Sequence, residues 1–241
     1  MAFVKKSKKP AKCAAVIAAA GYSQRMGEEK QFIEIRGAPV LAYTLAAFQA
    51  CGLISEIVVV ARKDHLERVG EICAEYRISK AAKVVAGGET RLESVMSGVL
   101  AVSPSAQLIA IHDGARPCVA QEVIERAVAA AAAYHAAAPG VQISSTVKRA
   151  KDGVVAETID RENLFEIQTP QVFTADIIKA ALTNALKKSI DITDDCMAVE
   201  LLKVPVYITE GSRSNIKLTT REDMLIAEAI LAEMWSGGDR A

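Results

Sequence analysis

The chain predicts an α/β fold, a Rossmann-like, mainly parallel sheet flanked by helices, with one protruding β-arm used for dimerisation. Three observations carry that expectation. Short β-rich runs alternate with helical patterns along most of the 241 residues, which implies right-handed βαβ units. The composition is aliphatic and alanine-rich, with 51% hydrophobic and only 5% aromatic residues, which suits helices packed on a sheet. Three apolar runs end in small or turn-forming residues, at 18–30, Gly87-Gly88 and Asp113-Gly114. Such strand ends form the rim where open α/β sheets bind ligands.

The elements follow in order. Met1 to Lys12 carries five lysines and lacks a signal peptide's apolar core, so it reads as a disordered basic arm. The first strand is Ala14–Ala18. A helix over Pro39–Cys51 has proline in its first turn and stops at Gly52. Strands over Glu56–Ala61, Lys83–Ala86 and Gln107–His112 alternate with helices over Lys63–Tyr76 and Thr90–Val102. A helix over Gln121–Ala138 and a strand over Val141–Val147 come next. Lys148–Thr169 breaks the rhythm with charges, Asp152-Gly153 as a turn signal, and the β-prone Val154-Val155 and Thr158-Ile159. It predicts a hairpin. An isolated hairpin is marginal, so this arm needs a surface to pack on, and a second subunit would supply one. A helix over Thr174–Lys188, a strand over Val204–Thr209 and a helix over Thr220–Trp235 complete the pattern. One domain over 13–236 is expected, with 148–169 as its dimerisation arm and 237–241 as a tail.

Charge and cysteine usage exclude several classes. Lys+Arg and Asp+Glu both number 29, so there is no excess positive charge for general nucleic-acid or membrane-surface binding. The five cysteines, Cys13, Cys51, Cys73, Cys118 and Cys196, are scattered and form no C-x-x-C pair, which points to reduced thiols in the cytoplasm. No Cys/His cluster has metal-ligand spacing, and no apolar run is long enough to span a bilayer.

The chemistry-bearing segment is Ala18-Ala19-Ala20-Gly21-Tyr22-Ser23-Gln24-Arg25-Met26-Gly27, with Lys30 just beyond. Small residues let a backbone turn approach a ligand, and its N–H groups make an anion site. Arg25 and Lys30 add two positive charges, which suits a triphosphate. Neither the P-loop nor the dinucleotide fingerprint is present. Gly87-Gly88-Glu89-Thr90-Arg91-Leu92-Glu93-Ser94 joins a strand to a helix that Thr90 can cap. It reads as base recognition or as an ordinary βα turn. Asp113 in His112-Asp113-Gly114-Ala115-Arg116-Pro117 suits Mg²⁺ or a substrate hydroxyl, or a cap paired with Arg116; His112 reads as structural. Asp194-Asp195 reads as a metal pair or as the N-cap of a helix over Cys196–Leu202, and stays outside the catalytic set.

Five blocks together resemble the cytidylyltransferases that act on methylerythritol phosphate in non-mevalonate isoprenoid synthesis. They are the Ala18–Lys30 loop, Gly87–Ser94, His112–Pro117, Asp160-Arg161 with Gln168–Phe173, and Asn215-Ile216-Lys217, from about Ala14 to about Leu231. The resemblance implies that Arg25 and Lys30 hold the CTP phosphates and stabilise charge at the α-phosphate. It implies that Ala18, Ala19, Ala20 and Gly21 line the nucleotide, and that Gly87, Glu89 and Ser94 select cytosine. Asp113, Arg116, Thr146 and Thr169 would hold the methylerythritol moiety, and Gly114 would be a further substrate-binding residue. Arg161, supplied by the neighbouring subunit, and Lys217 would grip its phosphate. Mg²⁺ would be held mainly by the CTP phosphates, with no protein metal site. The implied partners are CTP, a polyol phosphate and a second copy of the chain. Family members often have Gly at Ser23, and many have Asp at Ser145. A ribitol phosphate cytidylyltransferase of the same fold and a non-catalytic nucleotide-binding regulator are the alternatives. The nucleophile in this chemistry is a phosphate oxygen, already anionic, so no Ser/His/Asp set is required; positioning and electrostatics carry the transfer.

Overall fold

The computed structural model describes residues 12–21 and 29–236. Arg25, Ser23, most of the basic N-terminal arm and the 237–241 tail therefore lie outside the described residues. Strands β1 (Cys13–Ala18), β2 (Glu34–Ile35), β3 (Ala38–Pro39), β4 (Ile54–Ala61), β5 (Ala81–Ala86) and β6 (Leu108–Asp113) alternate with helices α1 (Val40–Ala50), α2 (Leu66–Glu75) and α3 (Arg91–Ala101). The second half contains α4 (Gln121–Tyr134), β7 (Ala136–Gln142), β8 (Val147–Lys151), β9 (Val154–Ile159), β10 (Phe165–Ile167) and β11 (Gln171–Thr174). It closes with α5 (Ala175–Lys187), α6 (Asp195–Glu200), β12 (Tyr207–Glu210) and α7 (Arg221–Ser236).

The central sheet has eight strands in the order β10-β7-β11-β6-β1-β4-β5, with β12 also paired to β7. The pairs β6-β1, β1-β4, β4-β5 and β7-β12 are parallel, whereas β11 runs antiparallel to both β6 and β7. The sheet is thus mixed and mostly parallel, with helices on both faces. Period-2 alternation divides the core between those faces. Ala15 and Ile17 of β1, with Val59 of β4 and Ala110 of β6, pack in one layer with residues of α1, α2 and α4. Ala14, Val16, Val58 and Ile109 face the other, with α3, α5 and α6. Burial on both faces explains why these strands are nearly continuous apolar runs.

Two expected boundaries are wrong in one place. The helix predicted to Ala138 ends at Tyr134, and the strand predicted over Val141–Val147 occupies Ala136–Gln142. His135 takes a left-handed conformation (φ 76°) and its N–H closes the helix on the Ala131 carbonyl at 2.8 Å. Ala136, Ala137 and Ala138 are fully buried in the sheet. Alanine's helix propensity is a weak preference, and packing on both faces overrides it; Pro139 also ends any helical run. The short strands β10 and β11 were not anticipated.

The expected hairpin is present. Strands β8 and β9 pair antiparallel as a separate two-stranded sheet, with Asp152 (φ 51°) and Gly153 (φ 79°) at its tip. Two positive φ values in succession are what a tight hairpin turn demands, and Asp-Gly supplies them. Val154 and Val155 are 70% and 57% exposed.

Helix α3 lies unusually close to the sheet. A Cβ on Gly98 would fall 2.5 Å from Val16 Cγ1 and 2.6 Å from Val60 Cγ2. Gly98→Val should therefore overpack the core and cost about 1–3 kcal/mol, a fall of roughly 2–10 °C in melting temperature. An unchanged melting temperature would show that α3 can move off the sheet freely.

Candidate active site

The chain leaves β1 toward β4 and β5 on one side, then returns to β6 on the other. The crevice beyond the carboxyl ends at this switch is where ligands bind in such sheets. A cavity of about 580 Å³ lies there. Its wall combines Ala18, Ala19, Ala20 and Gly21 after β1 with Gly88, Glu89, Thr90, Arg91 and Ser94 after β5. Asp113 and Gly114 after β6, Lys30, Arg62 and Lys217 complete it. Four cations thus face two carboxylates among its described lining residues. The lining carries more cationic than anionic side chains although the chain is neutral, which suits a polyanion.

Close backbone approach builds this rim. Gly87 packs so tightly that a Cβ would fall 2.6 Å from Ser94 Oγ and 2.7 Å from Ala20 Cβ. Helix α3 opens with a capping box. Glu93 N–H donates to Thr90 Oγ1 at 3.1 Å, and Glu93 Oε2 accepts from Thr90 N at 3.0 Å and from Glu89 N at 2.8 Å. Ser94 is buried and its hydroxyl donates to Gly88 O at 3.3 Å. These bonds within the chain set the loop's shape.

Asp113 is the centre of the second wall. It is 8% exposed, and its Oδ2 lies 3.2 Å from Arg116 Nε and 3.1 Å from Lys217 Nζ. Burial alone would raise its pKa. Lys217, Arg116 and Arg91 overcome that and hold the carboxyl at about 2. Arg116 is buried and also donates to Asn215 O at 2.6 Å. Beneath them runs a chain of hydrogen bonds with one consistent direction. Asp113 N–H donates to Thr169 Oγ1 at 3.2 Å, so the threonine hydroxyl donates onward to His112 Nδ1 at 2.9 Å. His112 Nε2 then carries the proton toward Arg116 O at 3.4 Å. His112 is fully buried, which favours its neutral form and lowers its pKa to about 3.

The Gln168–Gln171 block is a brace. Gln168 donates to Ser212 O at 2.8 Å and accepts from Ser212 N at 3.2 Å, which fixes the loop that presents Lys217. Asn215 Nδ2 donates to Thr169 O at 2.8 Å. Gln171 Oε1 accepts from the N–H groups of Asp195 and Cys196, both at 3.0 Å. Of the two readings of Asp194, the structure shows the helix cap: it accepts from Met197 N at 2.9 Å at the start of α6.

The structure sorts the sequence candidates by position. Ala18, Ala19, Ala20, Gly21, Lys30, Glu89, Ser94, Asp113, Gly114 and Lys217 line the cavity. Gly87 packs behind it, and Arg116 and Thr169 support it from below. Thr146 is exposed at the root of the arm. Arg161 is exposed too, and donates to the carbonyl of Ser144. Both lie outside this subunit's cavity lining.

Sequence reasoning missed the partnership of Arg91 with Asp195. Two hydrogen bonds of 3.0 and 2.6 Å join them, and Asp195 is fully buried. Burial pushes the Asp195 carboxyl up, yet Asp195 holds Arg91 above the usual guanidinium range, and the bidentate geometry supports the ionic pair. Arg62 was missed as well. Its signal was a cation directly after a buried strand.

Comparison with known proteins gives a consistent result. The family model described as 2-C-methyl-D-erythritol 4-phosphate cytidylyltransferase matches residues 13–233. The Halalkalibacterium halodurans protein of that name is 46% identical over 220 residues, covering 90% of this chain and 96% of the relative. The Clostridium acetobutylicum protein of the same name is 44% identical over 221 residues, covering 90% and 96%. Among solved structures, the 4-diphosphocytidyl-2C-methyl-D-erythritol synthase of Anaerococcus prevotii superposes with a TM-score of 0.82 at 32% identity, covering 92% of this chain and 96% of that one. The Thermus thermophilus 2-C-methyl-D-erythritol 4-phosphate cytidylyltransferase gives a TM-score of 0.76 at 28% identity, covering 90% and 97%.

The buried pair His112 and Asp113 sets an acid limit on stability. The His112 pKa falls from 6.5 when free to about 3 in the fold, so the unfolded chain binds its proton first. Its contribution is complete above pH 6.5 and shrinks as pH falls toward 3. Asp113, at about 2 against 3.8, keeps its contribution above pH 3.8 and loses it as pH falls through 2. Unfolding free energy should therefore decline from pH 6.5 to 4.5. His112→Gln retains a donor for the Arg116 carbonyl but does not titrate, and should remove up to about 1.4 kcal/mol per pH unit of that slope. Equal slopes in denaturant titrations of the two proteins would contradict a neutral buried His112.

Proposed function

This chain belongs to the 2-C-methyl-D-erythritol 4-phosphate cytidylyltransferase family, and we propose that it transfers CMP from CTP to 2-C-methyl-D-erythritol 4-phosphate with release of pyrophosphate. The observation that carries this reading is the convergence of the three strand-end loops on one cationic cavity. Its Ala18–Gly21 wall suits a nucleotide, its Gly88–Ser94 wall suits a small base, and its Asp113–Lys217 wall suits a hydroxylated phosphate. A phosphate oxygen of the polyol phosphate attacks the α-phosphorus, that P–O bond forms, and the bond from the α-phosphorus to the bridging oxygen of pyrophosphate breaks. Lys30 offsets charge on the triphosphate, joined by Arg25. Asp113, kept ionised by Lys217, Arg116 and Arg91, accepts from polyol hydroxyls, and Lys217 draws in the second phosphate.

Among the described residues no group of three His, Cys, Asp or Glu could hold a metal ion. The Asp113 carboxylate is shared by two cations. This donor set fits Mg²⁺ carried by the CTP phosphates, with several waters retained. When bound, the ion would offset charge on the triphosphate and orient it.

The second phosphate would receive Arg161 from a partner's arm, making the active form a homodimer with composite sites. The exposed valines of the arm and the position of Arg161 outside its own cavity support this reading. No helix among the described residues is long and apolar enough to cross a membrane. The five cysteines are free thiols, in keeping with a cytoplasmic enzyme.

Pyrophosphate release should require CTP and 2-C-methyl-D-erythritol 4-phosphate together. Ribitol 5-phosphate in place of the acceptor, or ATP in place of CTP, should give far slower release; comparable rates with either would overturn the assignment. Lys30→Ala should lower turnover about 10²–10³-fold, the usual loss for a charge contact in the transition state. An Arg161→Ala chain mixed with a Lys217→Ala chain should regain activity in heterodimers, because one hybrid site holds both cations. Verified heterodimers without activity would assign both residues to the same subunit's site.

A further inference from the structure

Arg62 lines the cavity directly after β4, and its side chain is held in place from two directions. Nε and Nη2 form a fork on Asp64, at 3.1 and 2.7 Å. Nη1 reaches Glu29 Oε1 at 3.2 Å. The other oxygen of Glu29 lies 2.8 Å from His65 Nδ1 and accepts from Gln31 Nε2 at 3.3 Å. Glu29 therefore joins the end of β4 to the start of a 3-10 turn over Lys30–Phe32. That turn is closed by Phe32 N on Glu29 O at 2.9 Å. Its last residue is anchored: Phe32 is buried, meets His65 edge to face at 5.1 Å, and has Arg68 4.1 Å above its ring. Its first two residues, Lys30 and Gln31, face the cavity.

We propose that Arg62 is a positioning residue for nucleotidyl transfer, acting through Glu29 to fix the turn that aims Lys30 at the triphosphate. Magnitudes favour geometry over stability as its role. The side chains of Arg62 and Glu29 are 31% and 25% exposed. Partly solvated ion pairs add little to folding. A turn carrying a phosphate ligand is different, because a shift of about 1 Å can cost on the order of 10²-fold in rate.

The inference rests on Lys30 being a phosphate ligand, and the test separates the two. kcat and the KM values for CTP and for the polyol phosphate are measured for Arg62→Gln, Glu29→Gln, Lys30→Ala and the Arg62→Gln/Lys30→Ala double variant, with melting temperature as a check on folding. Arg62→Gln should lower kcat about 10- to 100-fold, leave KM for the polyol phosphate unchanged, and hold its melting temperature. Glu29→Gln should reproduce this loss. In the Lys30→Ala background, Arg62→Gln should add less than about two-fold, because the residue it positions is gone. Multiplying losses, or wild-type kcat in folded Arg62→Gln, would overturn the proposal. Should Arg62→Gln fail to fold, Arg62→Lys keeps the charge, lacks the fork, and should remain impaired; full activity in it would also overturn the proposal. Normal turnover in the Lys30→Ala variant would instead remove Lys30 from the phosphate site, and Arg62 with it. If wild type shows no cytidylyl transfer, the function fails first, and the same cycle read as CTP affinity by calorimetry decides the Arg62–Lys30 coupling.

Discussion

A carboxylate withdrawn from water must be compensated, and the site is organised around that requirement at Asp113. An isolated buried charge is costly enough that the group would bind a proton instead. Here Arg116 and Lys217 meet one oxygen, while Asp113's own backbone N–H anchors Thr169. Each partner brings a distant segment with it. Arg116 engages the Asn215 carbonyl, Asn215 engages the Thr169 carbonyl, and Thr169 engages His112. The strand β6, the β10–β11 corner and the loop before α7 are thus joined by one connected polar network. Removing a member would leave several buried groups unmatched, each costing about 1–3 kcal/mol. Such a network keeps a negative charge ionised inside a cationic cavity and ties Lys217 to it at 3.1 Å.

The opposite wall depends on space. Gly87 and Gly114 sit where a Cβ would strike Ala20, Ser94 or Ala19, at 3.0 Å or less. The alanines after β1 are therefore part of the same constraint: each larger side chain would push the rim outward and close the cavity to a ligand backbone. The capping box then occupies the Glu89 and Thr90 amides with Glu93 Oε2. That loop's shape is set within the protein, which is how a site can favour a small base over a large one.

Much of this was legible in the chain, and the parts that were not share a cause. Strands β1, β4 and β6, the Thr90 cap and the Asp152-Gly153 tip were readable because each is a local pattern. Ala136–Ala138 was misread because alanine reports helix propensity locally, while its burial between α4 and the other helical layer is a tertiary fact. Asp195 was unreadable for the same reason: its partner Arg91 is 104 residues away. The cavity residues Ala18–Gly21, Ser94 and Asp113 were named from motifs, and Glu89 and Lys217 from the family resemblance. The functions of Gln168 and Gln171 as braces emerge only from the hydrogen bonds they make. Arg62 had a positional signal, but its fork on Asp64 and its link to Glu29 required coordinates.

The arm poses a separate physical question, and two unrelated facts point to one answer. Val154, Val155 and Phe165 are exposed along the arm and its return, and Tyr207 and Ile208 are exposed on the neighbouring strand β12. Exposed apolar side chains gain from being covered. Independently, Arg161 follows β9 and lies outside the cavity of its own subunit. A hairpin that folded back over its own site would satisfy the charge but leave β12 bare. A second copy of the chain, with its arm laid across, would cover apolar surface and deliver a cation in one movement. In the proposed dimer, coupling the two would make assembly a condition of activity, because the phosphate assigned to Arg161 would be bound only where two subunits meet.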